Sequence, residues 1–465
     1  MKTNIYLKLI IACIVGYSII SCEDFLEIEA PKDKVVREDV FNNEATTLSA
    51  LAGIYNQLFL SEFSNGAEFS VTFLAGLSAD NIKNISTTNF ARMEFEQNEI
   101  SPANSNNLFI WSSAYNMIYL ANSFLEGLEE SEALTDSFKT PLEGEGRFIR
   151  AFTYFYLVNL YGEIPLIVST DYAENQSSTR NSQQEIYDQI IADLQISIEK
   201  LPEAYENGER TKANRYGAMA LLSRVYLYLE DWEKAEQLSS QVISQSSTYE
   251  LLEDFDEIFL ANSKEAIWQI SPIGQGGMVS HTNDGFLFLI DPLRSYFAKT
   301  KLNENLISIF GDIDIRLSKW VGFNESKNAF FASKYKIWNS MEFPIIEYSM
   351  VLRLAEQYLI RAEARAQQGN ISGAVEDLNR IRTRAGIELE IDPDITKEEL
   401  LDKIIEERRK ELFSEWGHRW LDLKRTHRAQ EVLGENPLWE ATDVLYPIPA
   451  AERIKNPSLT QNPGY

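Results

Sequence analysis

Cysteine is almost absent from this 465-residue chain, which has only Cys13 and Cys22. Cys13 lies in an apolar run, residues 9–20, expected to be removed as part of a leader. That leaves Cys22 as the single thiol of the mature chain, with no disulfide to form and no cysteine-ligated metal site. Histidine is nearly as scarce, with three in all. No His-Glu-x-x-His, Gly-x-Ser-x-Gly or phosphate-loop sequence occurs, so the common hydrolase and nucleotide motifs are missing. Positive charge is in deficit too: 43 Lys and Arg face 70 Asp and Glu, for a net charge of −27. Residues 1–21 hold only Lys2 and Lys8, so the remainder is more acidic still. Such a surface repels phosphate backbones, and nucleic acid is excluded as a partner.

What is present begins with an address. "MKTNIYLKLIIACIVGYSIISC" carries Lys2 and Lys8 ahead of an apolar run too short for a comfortable transmembrane helix. It ends in "IISC", which resembles a lipobox: residues 1–21 read as a cleaved signal peptide and Cys22 as the lipidated residue. Several acyl chains on that cysteine make a stable anchor. The acidic "EDFLEIE" that follows resembles the surface-export signal of Bacteroidetes lipoproteins. The expected location is the outer membrane, lipid-anchored and facing outward.

Hydrophobic residues make up 44% of the chain and aromatics 12%, which excludes a mainly disordered protein. Helical periodicity is clear in three segments. "NNLFIWSSAYNMIYLANSFLEGL" (106–128) places Phe109, Ile110, Tyr115, Ile118 and Leu125 near one broad face. "EGRFIRAFTYFYLVNLYG" (145–162) is apolar on most sides, as in a helix buried between others, and "GEGRFI" reads as its start rather than as a dinucleotide loop. "SQQEIYDQIIADLQISIEKLP" (182–202) places Ile186, Ile190, Leu194, Ile198 and Leu201 at helical steps, ended by Pro202.

Residues 217–243 and 354–382 each read as helix, short turn, helix. Aligning Ala235 with Ala374 puts Leu222, Tyr226, Tyr358, Ala362, Leu378 and Ile381 where a tetratricopeptide repeat expects its packing residues. The repeats are interrupted by inserted material, residues 61–105 and about 262–345, richer in Gly, Asn, Ser and Pro. Within the second insertion, "EAIWQI" (265–270) and "FFASKYKIW" (330–338) suit short strands. Long irregular segments on a rigid scaffold are where recognition is expected.

These segments together resemble the SusD/RagB-like lipoproteins of Bacteroidetes. "SCEDFLEIEAPKDKVVREDVFNNEATTLSALAGIYNQL" resembles the family's mature N-terminus, and "WSSAYNMIYLANSFLEGL" with "GEGRFIRAFTYFYLVNLYGEIPLI" its first helical pairs. "FGDIDIRLSKW" resembles its Asp-x-Arg segment and "RLAEQYLIRAEARAQQGNISGAVEDLNRIRTRAGI" its last tetratricopeptide unit. "IIEERRKELFSEWGHRWLDLKR" (404–425) resembles its Glu-Arg-Arg…Gly-x-Arg-Trp-x-Asp-Leu signature, and "LYPIPAAERIKNPSLTQNPGY" closes the chain as the family does. The resemblance is weakest within 61–105 and 270–340. It implies a mainly α fold: a tetratricopeptide-like superhelix of about four helix-turn-helix units, with loops and short strands carrying the ligand face. One domain, 22–465, is expected, with an N-terminal part to about 250 and a C-terminal part from about 251. The resemblance also implies a surface protein that caps a SusC-type TonB-dependent transporter and captures a nutrient, most often a glycan, without catalysis, metal or cofactor.

Glycan binding needs flat apolar faces edged by hydrogen-bonding groups. The candidates in the two insertions are Phe69, Phe90, Phe286, Phe288, Tyr296, Trp320 and Trp338, with Asp80, Asn81, Asn283 and Asp284 as polar contacts. Peptide capture is the alternative within the same family, and a lipid-anchored hydrolase or a tetratricopeptide adaptor the alternatives outside it.

Residues 404–425 hold two tryptophans and a histidine amid interleaved charge. They look like a site but read as scaffold. Leu412, Phe413, Trp416 and Trp420 are expected to face inward, Gly417 to end or bend the helix, and Glu406–Lys410 and Glu415–Arg419 to form i,i+4 pairs. Arg408 and Arg419 are expected to pair with Glu411, Glu415 or Asp422.

Overall fold

A computed structural model of the chain describes residues 37–272, 281–340, 342–387 and 395–465. The leader and Cys22 lie outside these residues. Among the described residues no helix is long and apolar enough to cross a membrane.

The first long helix is α1 (Glu44–Leu60), capped by the Asn43 side chain on the Thr46 amide. The first insertion then supplies α2 (Val71–Ser78), the short strand β1 (Ile82–Asn84) and α3 (Phe90–Gln97). Next come two 26-residue helices, α4 (Ser105–Glu130) and α5 (Asp136–Tyr161), packed side by side. Two details differ from the periodicity reading. The buried stripe of α4 runs through Ile110, Ala114, Met117, Ile118 and Ala121, and leaves Phe109 exposed. Helix α5 starts nine residues before 145, so "GEGRFI" is helix interior. Its glycines serve close packing: a Cβ on Gly144 would lie 2.9 Å from Leu201, and one on Gly146 3.0 Å from Leu125.

Helix α6 (Gln183–Lys200) begins at a Ser182–Glu185 capping box and packs along α5. Helices α7 (Arg215–Tyr228) and α8 (Trp232–Ile243) form the first expected helix-turn-helix, the second starting at an Asp231 cap. The second insertion follows, bounded by a fully buried antiparallel pair, β2 (Ala266–Ile270) with β6 (Ser349–Arg353). Between them lie α9 (Asn283–Phe288), β3 (Thr300–Leu302), α10 (Ile315–Trp320), β4 (Val321–Asn324) and β5 (Ala329–Ala332). The expected strand over 330–338 is thus confined to its first residues, and Trp320 ends a helix.

After β6 the chain resumes its helix pairs with α11 (Leu354–Gln367) and α12 (Ile371–Arg384), then α13 (Lys397–Glu411) and α14 (His418–Arg425). The two sequence-similar pairs lie side by side, α8 against α11, although more than a hundred residues separate them. Ala235, Ala362, Ala374, Leu378 and Ile381 are buried in these contacts. Buried polar groups pin the register: Arg224 donates to both Glu356 oxygens at 2.6 Å, and Ser223 donates to Gln357 at 2.7 Å. Planar two-point pairing of this kind fixes orientation as well as contact. The architecture is a mainly helical array, with the insertions gathered as irregular structure and two-stranded sheets.

Candidate site on the inserted segments

The two insertions meet where β1 pairs antiparallel with β3, Ile82 opposite Leu302 and Asn84 opposite Thr300. Residues 216 to 220 positions apart thereby become neighbours, and side chains from both insertions face one surface.

On that surface four aromatic rings form a chain of neighbours, one pair stacked and two tilted. Tyr296 and Phe297 have centroids 4.4 Å apart, Phe297 and Trp338 6.0 Å, and Trp338 and Phe286 5.1 Å, with interplanar angles between 27° and 36°. Tyr296 is 71% exposed, Phe297 and Phe286 are also open, and Trp338 is half-buried. The Arg294 guanidinium sits 5.2 Å from the centre of the Trp338 ring, a cation–π distance. Phe90, 71% exposed at the start of α3, faces Tyr296 across a cleft of about 690 Å³. Ser86, Thr88, Lys299 and Lys327 also line this cleft. Flat apolar rings beside hydroxyls and charged hydrogen-bond donors are the equipment for holding a polyhydroxylated ligand.

Helix α9 sets the position of Phe286. Asn283 donates to the Asn65 carbonyl at 2.8 Å, and Ser349 donates to the Asp284 carboxylate at 2.8 Å. The next residue, Gly285, lies so close to the Ile337 carbonyl oxygen that a Cβ would be 2.4 Å from it. That approach brings Phe286 onto Trp338. Burial pushes the Asp284 carboxyl up to about 7.

The remaining candidates fall elsewhere. Trp320 is 0% exposed, packed on Phe255 and Phe259 with ring centres 4.9 and 5.8 Å away, and Phe288 is also core. Both leave the list of surface contacts because neighbouring hydrophobic residues already cover them. Phe69 is half-buried against Phe109, with ring centroids 5.2 Å apart. Asp80 and Asn81 are tied to the scaffold. Asp80 pairs with Arg409 at 2.8 Å and Arg419 at 2.6 Å, and Asn81 accepts from Arg409 at 2.8 Å. Burial raises the Asp80 carboxyl, but the Arg419 hydrogen bond and the two guanidinium charges outweigh it and hold the group below its usual value. His281, the histidine of the second insertion, is buried.

These arginines belong to the 404–425 segment, which lies under the site. Leu412, Phe413, Trp416 and Trp420 are all buried. Gly417 takes φ +67°, with Ala75 too close to admit a Cβ at its usual distance, and separates α13 from α14. The break changes the ion pairs. Lys410 bonds Glu406 at 2.6 Å and Arg408 bonds Asp422 at 2.9 Å, as expected. Glu415, however, pairs with Lys334 and Arg353, leaving Arg419 to reach Asp80. Behind this turn is a closed buried network of five cations and five carboxylates: Arg316, Lys334, Arg353, Arg382 and Arg384 with Asp314, Glu265, Glu407, Glu411 and Glu415.

Two family models match the chain. One, described as starch-binding and associating with the outer membrane, matches residues 24–227, and the other, of the SusD family, matches residues 333–465. The chain belongs to the SusD family. Relatives span nearly the whole of it: SusD-like protein P2 of Formosa agariphila is 28% identical over 96% of this chain and 97% of its own length. The starch-binding protein SusD of Bacteroides thetaiotaomicron is 25% identical, covering 73% of this chain and 75% of its own. Among solved structures, a SusD superfamily protein from Bacteroides vulgatus superposes with TM-score 0.80 at 23% identity, over 91% of this chain and all of the other. A laminarin-binding SusD-like protein does so with TM-score 0.77 at 22% identity, over 91% and 100%. At these identities the structures establish the fold. Phe286, Tyr296 and Phe297 all lie between the two SusD-family matches, in the part of the chain that neither family model describes. Phe297, Arg294, Lys299 and Lys327 were not singled out in the sequence. The run "LRSYFAKTK" held a signal for three of them, an aromatic pair flanked by cations.

Proposed function

We propose that this protein binds a glycan at the cell surface and passes it to a SusC-type TonB-dependent transporter, anchored in the outer membrane through lipidated Cys22. The observation that carries the reading is the largely exposed chain of neighbouring rings from Tyr296 to Phe286, beside a cleft edged by hydroxyls and cations. Sugar rings have apolar C–H faces that stack on such rings and equatorial hydroxyls that reach the edge. Relatives named as starch-binding and laminarin-binding support the glycan class. The ion-paired 404–425 segment holds the scaffold and takes no part in contact with ligand.

Purified protein is assayed against a panel of oligosaccharides and a peptide library. Saturable binding to sugars supports the proposal. Binding to peptides alone overturns it in favour of peptide capture, and turnover of a bound sugar would make the protein a hydrolase. Co-purification of a transporter from membranes tests the partner. Cys22→Ala should release the protein from the membrane fraction, and continued retention would count against the lipid anchor.

A further inference from the structure

The cleft between Phe90 and Tyr296 carries the opposite charge to the molecule around it. In a chain of net charge −27, its lining includes Arg92, Lys299 and Lys327 and no acidic residue. Arg294, on Trp338 beside it, extends the positive edge. Neither Lys327 nor Arg294 has an ion-pair partner among the described residues. Of the acids nearby, Glu68 offsets two of the cleft cations, which leaves Lys327 and Arg294 as the uncompensated ones among the described residues. Glu68 is shared by Arg92 and Lys299, the latter at 3.5 Å. Asp291 accepts from the Leu293 and Arg294 amides at 2.9 and 2.8 Å. Glu325, close to Lys327 in sequence, does not line the cleft.

Three further features have the same sign. The first turn of α3 opens into the cleft, and the Phe90 and Ala91 amides have no protein acceptor among the described residues. The positive end of a helix favours anions. Arg92, itself buried, has a side-chain Nε without any hydrogen-bond partner, an unusual state for a buried donor. Lys83 and Lys301 stand directly opposite one another across β1 and β3, a like-charge pairing that sheets ordinarily avoid, with the half-buried Glu96 near both. A surface assembled for a neutral sugar alone has no use for this concentration of cation in an acidic protein.

We infer that the glycan taken at this site is acidic, bearing carboxylate or sulfate groups that seat in the Phe90–Tyr296 cleft on Lys299, Lys327 and the first-turn amides of α3, while its ring faces lie on Tyr296, Phe297 and Trp338. The inference rests on the glycan reading above and names the ligand's chemical class. The local cations also offset the repulsion that an anionic polymer meets from the rest of the surface.

Calorimetric titration separates the possibilities, with alginate oligosaccharides as the carboxylate probe, carrageenan oligosaccharides as the sulfate probe and laminarin oligosaccharides as the neutral one. At least one acidic probe should bind more tightly than the neutral probe, with affinity that falls as salt is raised. Lys299→Ala/Lys327→Ala should weaken that binding by about tenfold or more, since each charge-assisted contact contributes more than a neutral one. Lys327 is exposed whereas Lys299 is half-buried on Glu68 at 3.5 Å, so the Lys327→Ala single variant should keep its melting temperature, and Lys327→Glu should weaken acidic ligands further while sparing neutral ones. Neutral glycan bound as tightly as acidic, with no effect of the lysine changes, would overturn the inference and leave the glycan reading standing. Binding of no glycan from either class would overturn both.

Discussion

Glu411 offers the hardest test of the idea that the 404–425 segment is scaffold. Its fully buried carboxylate accepts from Arg353 at 2.6 Å and Arg316 at 2.9 Å, and also pairs with Arg384. The surrounding network balances five cations with five carboxylates, so Glu411→Gln keeps the shape and leaves one buried cation uncompensated. Removing one partner from a buried ion pair costs about 3–5 kcal/mol. That is a large share of the roughly 5–15 kcal/mol by which folded proteins are stable. Urea denaturation should show a markedly lower midpoint, while the folded fraction binds ligand with unchanged affinity. The effect has a defined pH dependence. Burial alone would raise the Glu411 carboxyl, but Arg384, Arg353, Arg316 and Lys334 hold it far below its ordinary value of 4.5. A depressed carboxyl contributes stability above its unfolded value and loses it as pH falls through the folded one. The gap between wild type and variant should therefore be full at neutral pH and narrow progressively as pH falls below 4.5. A wild-type midpoint for Glu411→Gln would refute the network argument, and lost affinity at full stability would place the segment in the binding site.

Three further outcomes are expected. Trp420, 0% exposed beneath Tyr446 and Trp439, should cost about 3–5 kcal/mol when replaced by Ala, read by thermal melting, with ligand affinity of the folded protein retained. Asp284 is raised from 3.8 to about 7, so its favourable contribution is full below 3.8 and lost as pH rises towards 7. Asp284→Asn should thus gain on wild type by about 3 kcal/mol between pH 4 and pH 8 in parallel denaturation series, and a pH-independent difference would show that the carboxyl is not held in this way. Gly285→Ala sets a methyl against the Ile337 carbonyl and should shift α9, costing about 1–3 kcal/mol and weakening glycan binding through Phe286. Unchanged affinity would remove Phe286 from the site.

The helical scaffold was legible because its signals are local. Ser182 with Glu185, Asp231 and Pro202 mark helix ends within a few residues, and Ala235 and Ala374 mark close-packed pairs. The site was legible only as a region. Its geometry depends on β1 meeting β3 across 216 to 220 positions, and nothing local to Tyr296 or Trp320 says that one is open and the other enclosed. The same limit explains Asp80. Its partners, Arg409 and Arg419, are more than 320 residues away, and Arg419 was expected to pair with Glu415, four residues back. That pair failed because the helix ends at Glu411, before Glu415, and Arg353 takes the carboxylate instead.

On the proposed reading, ligand rests on the rings of the second insertion while the 404–425 segment only supports them. Calorimetry on a bound oligosaccharide with Tyr296→Ala/Trp338→Ala tests it most directly. Loss of two stacking faces should weaken binding by about tenfold or more at near wild-type melting temperature. Full affinity in that folded double variant would contradict the account.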